Sequence, residues 1–179
     1  NELSIICNKL EIDVWELISL ANKHPRINIL QPGPGVGGHC IAVDPWFIVS
    51  KTPEEAKLIR TAREVNDSKP EWVINKVKVA VAEFLQSNPE TTAKNVTIAC
   101  YGLAFKADID DLRESPALVI TQRLAKEHPG TLLAVEPNIR ELPESLKGKF
   151  KLVSRTIAEE SAEIIVVLVD HLQFLEPLL

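Results

Sequence analysis

The 179-residue chain contains no methionine and a single tyrosine, and only 5% of its residues are aromatic. Its three cysteines, Cys7, Cys40 and Cys100, form no C-x-x-C pair, so the usual ligand spacing of a zinc cage is missing and no metal site is expected. No apolar run approaches the roughly 18 residues needed to cross a bilayer. The most apolar stretch, residues 164–169, has the length of a strand. Nor does a basic segment precede an apolar one at the start, as a signal peptide would require. Lys and Arg total 20 against 25 Asp and Glu, giving a formal charge of −5 with no basic block. That balance argues against duplex nucleic acid or an anionic membrane as the main partner. An odd number of cysteines without a secretory signal points to reduced thiols and a cytoplasmic compartment. The lack of Met, with a first helix that opens uncapped, reads as the interior of a longer protein.

What is present is 45% hydrophobic and 25% charged, an ordinary globular composition. Residues 1 to about 23 carry a helical stripe of Leu3, Ile6, Leu10, Trp15, Leu17, Ile18 and Ala21, broken near Glu11 to Asp13 and ended by Pro25. Residues 24–47 hold four Gly and four Pro, which predicts a loop. A second helix is expected to start at Thr52, where Thr-Pro-Glu-Glu combines a cap, a proline and first-turn acids. It is expected to run to about Val65 and to break at Asp67 to Pro70. A third helix is predicted from Pro70 to about Gln86 on the stripe Val73, Ile74, Val77, Ala80, Val81 and Phe84. These stripes over residues 53–86 exceed what one small helical layer can bury, which favours a dimer.

Composition turns polar at residues 87–94, where a domain boundary is placed, giving units 1–88 and 89–179. Beyond it, residues 95–101 read as a buried strand, 116–127 as a helix capped by Ser115, and 132–135 as a short strand. A possible strand at 151–153, a short helix at 156–162 and a buried strand at 163–169 follow. Strand and helix alternation implies a parallel sheet covered by helices. The fold class is therefore α/β: an all-helical segment followed by a Rossmann-like sheet.

Gly33-Pro-Gly-Val-Gly-Gly38 formally matches G-x-G-x-x-G. A dinucleotide fingerprint also needs a preceding strand, for which residues 27–30 offer a stub, and a helix opening on the last glycine. Pro45 stands where that helix should be under way. Two other readings remain: a structural turn, or a loop whose glycines admit a substrate close to the backbone. In the latter, Cys40 at its end could act as a thiolate nucleophile, amides at Gly37 and Gly38 could face an oxyanion, and Asp44 could orient water or take a proton. Cys7, on a helical stripe, and Cys100, inside a strand, fit the plain role of small buried side chains.

The stretch GPGVGGHCIAVDPWF (residues 33–47) resembles the active-site cysteine loop of the UDP-glucose/GDP-mannose dehydrogenase family, in the form found in the branch acting on UDP-N-acetylhexosamines. A second segment, Tyr101-Gly-Leu-Ala-Phe-Lys106 with Asp110-Asp-Leu-Arg113-Glu-Ser-Pro116, is similar to the family's G-x-A-F-K and D-D-x-R-E-S-P motifs. The similarity covers residues 1 to about 174. It implies that residues 1–88 are a central helical dimerisation domain and 89–179 a UDP-sugar-binding domain. It further implies an NAD-dependent double oxidation of a sugar C6 alcohol to a carboxylate. The expected substrate is UDP-N-acetyl-D-mannosamine, with UDP-N-acetylglucosamine or UDP-glucose as alternatives. A non-catalytic nucleotide-binding or assembly module is the competing class.

By the same resemblance, Cys40 is the nucleophile and Asp44 the acid that assists proton transfer. His24, Arg26, Gly37, Phe105 and Lys106 meet the substrate, the first two across a homodimer interface, and Arg113 meets the NAD phosphates. The plain alternatives are that His24 and Arg26 are solvated loop residues, and that Arg113 pairs with Asp110, Asp111 or Glu114. Structural roles are expected for Glu136-Pro137 and Asp170-His171. The family's NAD-binding domain, its upstream Lys and Asn and its terminal Arg have no counterpart here, and LEPLL (residues 175–179) departs from its pattern. The chain alone is therefore not expected to turn over substrate.

Overall fold

Two short helices, α1 (Glu2–Leu10) and α2 (Val14–Ala21), open the computed structural model, which describes residues 1–175. Residues 176–179 of the LEPLL stretch lie outside the described residues. The break between the helices falls at the expected place. Glu11 enters the left-handed region at φ 57, and the Asp13 carboxylate accepts hydrogen bonds from the amides of Trp15 (2.7 Å) and Glu16 (3.2 Å) to cap α2. Cys7 and Ile18 are buried, but Ile6, Leu10 and Trp15 of the stripe are exposed.

The next two helices differ from expectation. Asp44-Pro45 starts α3 (Asp44–Lys51), inside the predicted loop, with Pro45 in the first turn where its missing N–H is harmless. Thr52 ends this helix, its amide and hydroxyl both donating to the Ile48 carbonyl, and so caps the wrong end for the predicted start. The chain then turns through Pro53 to Glu55, and α4 runs unbroken from Lys57 to Ser87 with Pro70 inside it. Proline deprives the carbonyl four residues back of its donor and crowds it. The helix is held on that stretch by the i,i+4 ion pair of Arg63 with Asp67 at 2.6 Å and by two tertiary anchors: Asn66 bonds the Val36 backbone, and buried Lys69 donates to the Ser4 hydroxyl of α1. Local signals at Asp67 to Pro70 carry no trace of the Val36 and Ser4 partners.

After a 3-10 turn (Ala93–Asn95) come β1 (Thr97–Tyr101), α5 (Pro116–Glu127), β2 (Thr131–Val135), a second 3-10 turn (Glu144–Leu146), β3 (Lys151–Leu152), α6 (Arg155–Ser161), β4 (Ile164–Val167) and α7 (Leu172–Leu175). The Ser115 hydroxyl accepts from the Leu118 amide and caps α5 as predicted. All strand pairs are parallel and the order is β3-β2-β1-β4, so the direction of winding reverses between β1 and β4. Alternation along β1 sends Ile98 and Cys100 into one core with Ile74, Val77, Ile120 and Leu124, while Ala99 and Tyr101 face the other with Leu133 and Ala158. Burial raises the Cys100 thiol pKa to about 12, as suits an inert core residue.

The stripe on the second half of α4 is thus covered from within. Ile74 and Val77 belong to the sheet's core, and Val73, Val81 and Phe84 pack against it. Ion pairs from Glu71 to Arg123 and Lys78 to Glu127 flank this contact with α5. That half of the stripe therefore does not by itself call for a dimer. Exposed apolar side chains remain on the N-terminal helices and the loops between them, and on α4 at Leu58 and Val79.

Candidate functional site

No strand forms at residues 27–30, and no helix opens on Gly38. Gly33 to Gly38 is therefore not a dinucleotide fingerprint. The glycines serve close packing instead. A side chain at Gly37 would place its Cβ 2.2 Å from the Glu114 carbonyl oxygen and 3.0 Å from the Phe105 Cβ. Gly38 has φ +88, and a Cβ there would lie 3.0 Å from the Phe105 ring. Only glycines allow the loop to lie against Phe105 and the turn before α5.

The loop is fastened on its other side by residues that sequence reasoning missed. Asn66 of α4 acts as a two-point clamp: its side-chain oxygen accepts the Val36 amide at 2.8 Å and its nitrogen donates to the Val36 carbonyl at 3.3 Å. Asn1 joins in, donating to the Asn66 side chain at 2.9 Å and accepting the Gly33 amide at 3.0 Å. One helical turn earlier, buried Arg63 donates to the Ile41 carbonyl at 3.5 Å, beside Cys40. The available signal was spacing: Arg63 and Asn66 are polar residues three apart on one helix face.

Cys40 itself is exposed and unpaired. Its carbonyl accepts the amides of Val43 (3.0 Å) and Asp44 (2.8 Å), a turn that leads directly into α3 and sets Asp44 as its first residue. Across the glycine loop, Phe105 donates its amide to the Asp111 carbonyl at 3.1 Å, and the Lys106 ammonium lies 5.9 Å from the Phe105 ring centre. Arg113 makes a forked contact with the Asp111 carboxylate, with its shortest arm 2.6 Å. Hydrogen bonds from the Arg113 side chain and backbone hold the Asp111 carboxyl at a pKa of about 2, and His39 adds a smaller electrostatic pull. Arg113 is raised in turn by the Asp111 hydrogen bond, with Cys40 among its lesser electrostatic partners. The loop thus brings His39 and Cys40 within the field of the Asp111–Arg113 pair.

Of the residues singled out in the sequence, the fold gathers Gly37, Cys40, Asp44, Phe105, Lys106 and Arg113 around this seam between helices and sheet. Arg113 also makes one of the ion pairs foreseen as its plain alternative. His24 and Arg26 stand apart. Both are exposed in the turn after α2, where the Arg26 amide bonds the His24 ring at 3.3 Å, and no contact links them to the others among the described residues. A cleft of about 520 Å³ lies at the ends of β2 and β3 beside Arg140, Ser154 and Phe174, and none of the predicted site residues lines it. No helix among the described residues is long and apolar enough to cross a membrane.

Residues 1–68 match the central-domain profile of the UDP-glucose/GDP-mannose dehydrogenase family, and residues 99–178 match that family's UDP-binding-domain profile. Over 174 residues the chain is 61% identical to a UDP-N-acetyl-D-mannosamine dehydrogenase of Salmonella typhi, covering 97% of this chain and 41% of that protein. It is 58% identical over the same length to an NDP-N-acetyl-D-galactosaminuronic acid dehydrogenase of Ralstonia nicotianae, covering 97% of this chain and 39% of the relative. Among solved structures, the UDP-N-acetyl-mannosamine dehydrogenase Cap5O from S. aureus superposes with a TM-score of 0.76 at 40% identity, over 98% of this chain and 38% of that one. The chain therefore spans about two fifths of the length of the relatives it matches.

Proposed function

The chain belongs to the UDP-glucose/GDP-mannose dehydrogenase family, and from that premise we propose that it supplies the cysteine loop and the nucleotide-sugar site of an NAD-dependent 6-dehydrogenase acting on UDP-N-acetyl-D-mannosamine. The observation that carries this reading is the seating of the Cys40 loop on Phe105 and beside Arg113. In this reading the seam holds Cys40 as nucleophile, Asp44 as general base, and Lys106 and Arg113 as cations.

In this reading Cys40 adds through its sulfur to the aldehyde carbon formed at C6, giving a thiohemiacetal. Oxidation of that adduct leaves a thioester, which water attacks to give the carboxylate and return the thiol. Asp44, one helical turn from Cys40, takes a proton from the attacking water. Amides of the glycine loop support the oxyanion. Phe105 and Lys106 meet the substrate, and His24 and Arg26 reach it across a dimer interface, where the Arg26 guanidinium suits the pyrophosphate. Bound NAD+ would supply the two-electron oxidant that each of the two oxidations needs. The fit of this chain to the dinucleotide is confined to one edge: it has no fingerprint among the described residues, but the exposed fork of Arg113 beside Cys40 suits a phosphate. A homodimer would cover the apolar side chains of Leu10, Trp15, Leu20, Phe47 and Ile48, all exposed on the N-terminal helices. A cytoplasmic site of action suits three unpaired thiols.

The test uses a chimera in which residues 1–174 replace the matched segment of the Salmonella typhi relative. Across a panel of UDP-sugars, NADH release is expected to be fastest with UDP-N-acetyl-D-mannosamine. Relatives named for different 2-acetamido sugars match at 58–61% identity, so UDP-N-acetylglucosamine is the comparison to include. Cys40→Ser should lower NADH production on the order of 1,000-fold. Undiminished turnover in that variant would sink the nucleophile assignment.

A further inference from the structure

A buried polar network beyond β2 takes no part in the chemistry above. The side chains of Glu136 and His171 are both fully buried and meet at 3.0 Å between the carboxylate and Nε2. The same carboxylate oxygen accepts the amides of Leu103 at 2.7 Å and Ala104 at 3.1 Å. The other oxygen accepts the backbone and side-chain nitrogens of Asn138 at 3.1 and 3.3 Å. On the far side of the ring, His171 Nδ1 receives the Asp108 amide at 2.9 Å and faces the Asn138 side-chain nitrogen at 3.0 Å. Both neighbours of Nδ1 are N–H donors, so Nδ1 accepts, and the ring proton sits on Nε2 and points at Glu136. Asp108, at φ 59, closes the circuit by accepting the Leu172 amide at 2.9 Å.

We propose that Glu136 and His171 are positioning residues that pin the 103–108 segment at both ends and thereby hold Phe105 and Lys106 where they meet the UDP-sugar. The claim rests on the reading that Phe105 and Lys106 contact substrate. Glu136 fixes the segment at Leu103 and Ala104, and His171 fixes it at Asp108; Phe105 and Lys106 lie between these anchors. Burying a carboxylate is costly unless its oxygens are filled, and an apolar replacement generally stabilises a core better. A charged group here selects one backbone path for the segment, because each of its donors is a backbone amide or a side chain at the segment's edge.

The experiment exploits the two ends of the imidazole, in the full-length chimera. His171→Asn keeps an acceptor near the Nδ1 position and so keeps the Asp108 anchor. His171→Gln keeps a donor toward Glu136 but loses that acceptor. His171→Gln should raise KM for the UDP-sugar about tenfold, with kcat and the alkylation rate of Cys40 within about twofold, while His171→Asn should raise KM less than about threefold. Equal KM values in the two variants, or a fall in melting temperature with KM unmoved, overturn the proposal. Should neither variant fold, Glu136→Asp replaces them: the shorter carboxylate keeps its charge but draws back from the Leu103 and Ala104 amides that anchor the segment. A raised KM with kcat retained supports the proposal, and an unchanged KM overturns it. Lys106→Ala separates the two levels. If it leaves KM unchanged, the substrate reading itself fails and this proposal with it; if it raises KM while His171→Gln does not, only the positioning claim falls.

Discussion

The sheet half and the helical half solve burial in opposite ways. Around β1, apolar side chains from four strands, α5 and the second half of α4 close on one another, and Ile98, Leu103 and Ile120 are essentially inaccessible. In the first half, Cys7 and Ile18 are buried, yet Trp15, Leu20, Phe47 and Leu58 are more than half exposed. That half also buries groups the sheet half keeps out of its core: the Arg63 guanidinium, whose Nε has no hydrogen-bond partner among the described residues, and Lys69, 3% exposed beneath the Trp72 ring. A unit with a closed core can stand alone. A unit with open apolar faces and buried cations gains its stability from what it touches, and here it touches the sheet half along the very seam that carries Cys40.

The largest test of this contrast compares core with surface. Ile120→Ala should cost about 3–5 kcal/mol of unfolding free energy in urea titration, whereas Trp15→Ala should change monomer stability by less than about 1 kcal/mol. Trp15→Ala should instead weaken self-association in sedimentation; equal losses of stability would erase the distinction. Next comes the buried cation. Burial lowers the Lys69 pKa from 10.5 to about 8. The unfolded chain keeps the proton up to the ordinary value, so charging Lys69 opposes folding fully below about pH 8, and that penalty fades as pH rises toward 10.5. Stability should therefore gain on the order of 2 kcal/mol across that window relative to Lys69→Met, measured by chemical denaturation at each pH. A parallel pH profile in the two proteins would show that Lys69 is solvated. The smallest effect concerns the seam. Gly38→Ala sets a Cβ against the Phe105 ring at a positive φ and should cost about 1–2 kcal/mol, with a larger proportional effect on Cys40 alkylation than on melting.

Much of the sheet half was legible because its signals are local. Ser115-Pro116 marks the start of α5, a short apolar run buried along its length marks β1, and Gly102 and Ser115 punctuate the loop between them. In the helical half, the break near Glu11 to Asp13 was legible, where the stripe lapses and polar residues gather. Between Asp44 and Thr52 two polar-proline steps offered the same start signal, and composition could not say that the first was the start and Thr52 the end. Pro70 was read as a break because the bonds that hold α4 through it reach residues 30 and 65 positions away. The site shows the same division. Cys40, Phe105 and Arg113 stand in recognisable motifs, but the seating of Gly37 against Phe105, the Asn66 clamp and the Glu136–His171 pair are long-range contacts with no local mark.

The continuity of α4 has a mechanical consequence. Thirty-one residues make a strut about 46 Å long. Its first half grips the cysteine loop through Arg63 and Asn66, and its second half is embedded in the sheet's core. Force applied at one end is transmitted to the other without an intervening loop to absorb it. The ladder has one rung missing, at Pro70, directly between the two grips, and bending of such a strut concentrates where a rung is lost. Flexing at that turn would therefore shift the cysteine loop against the sheet core, with the packing of Gly37 and Gly38 on Phe105 as the second restraint.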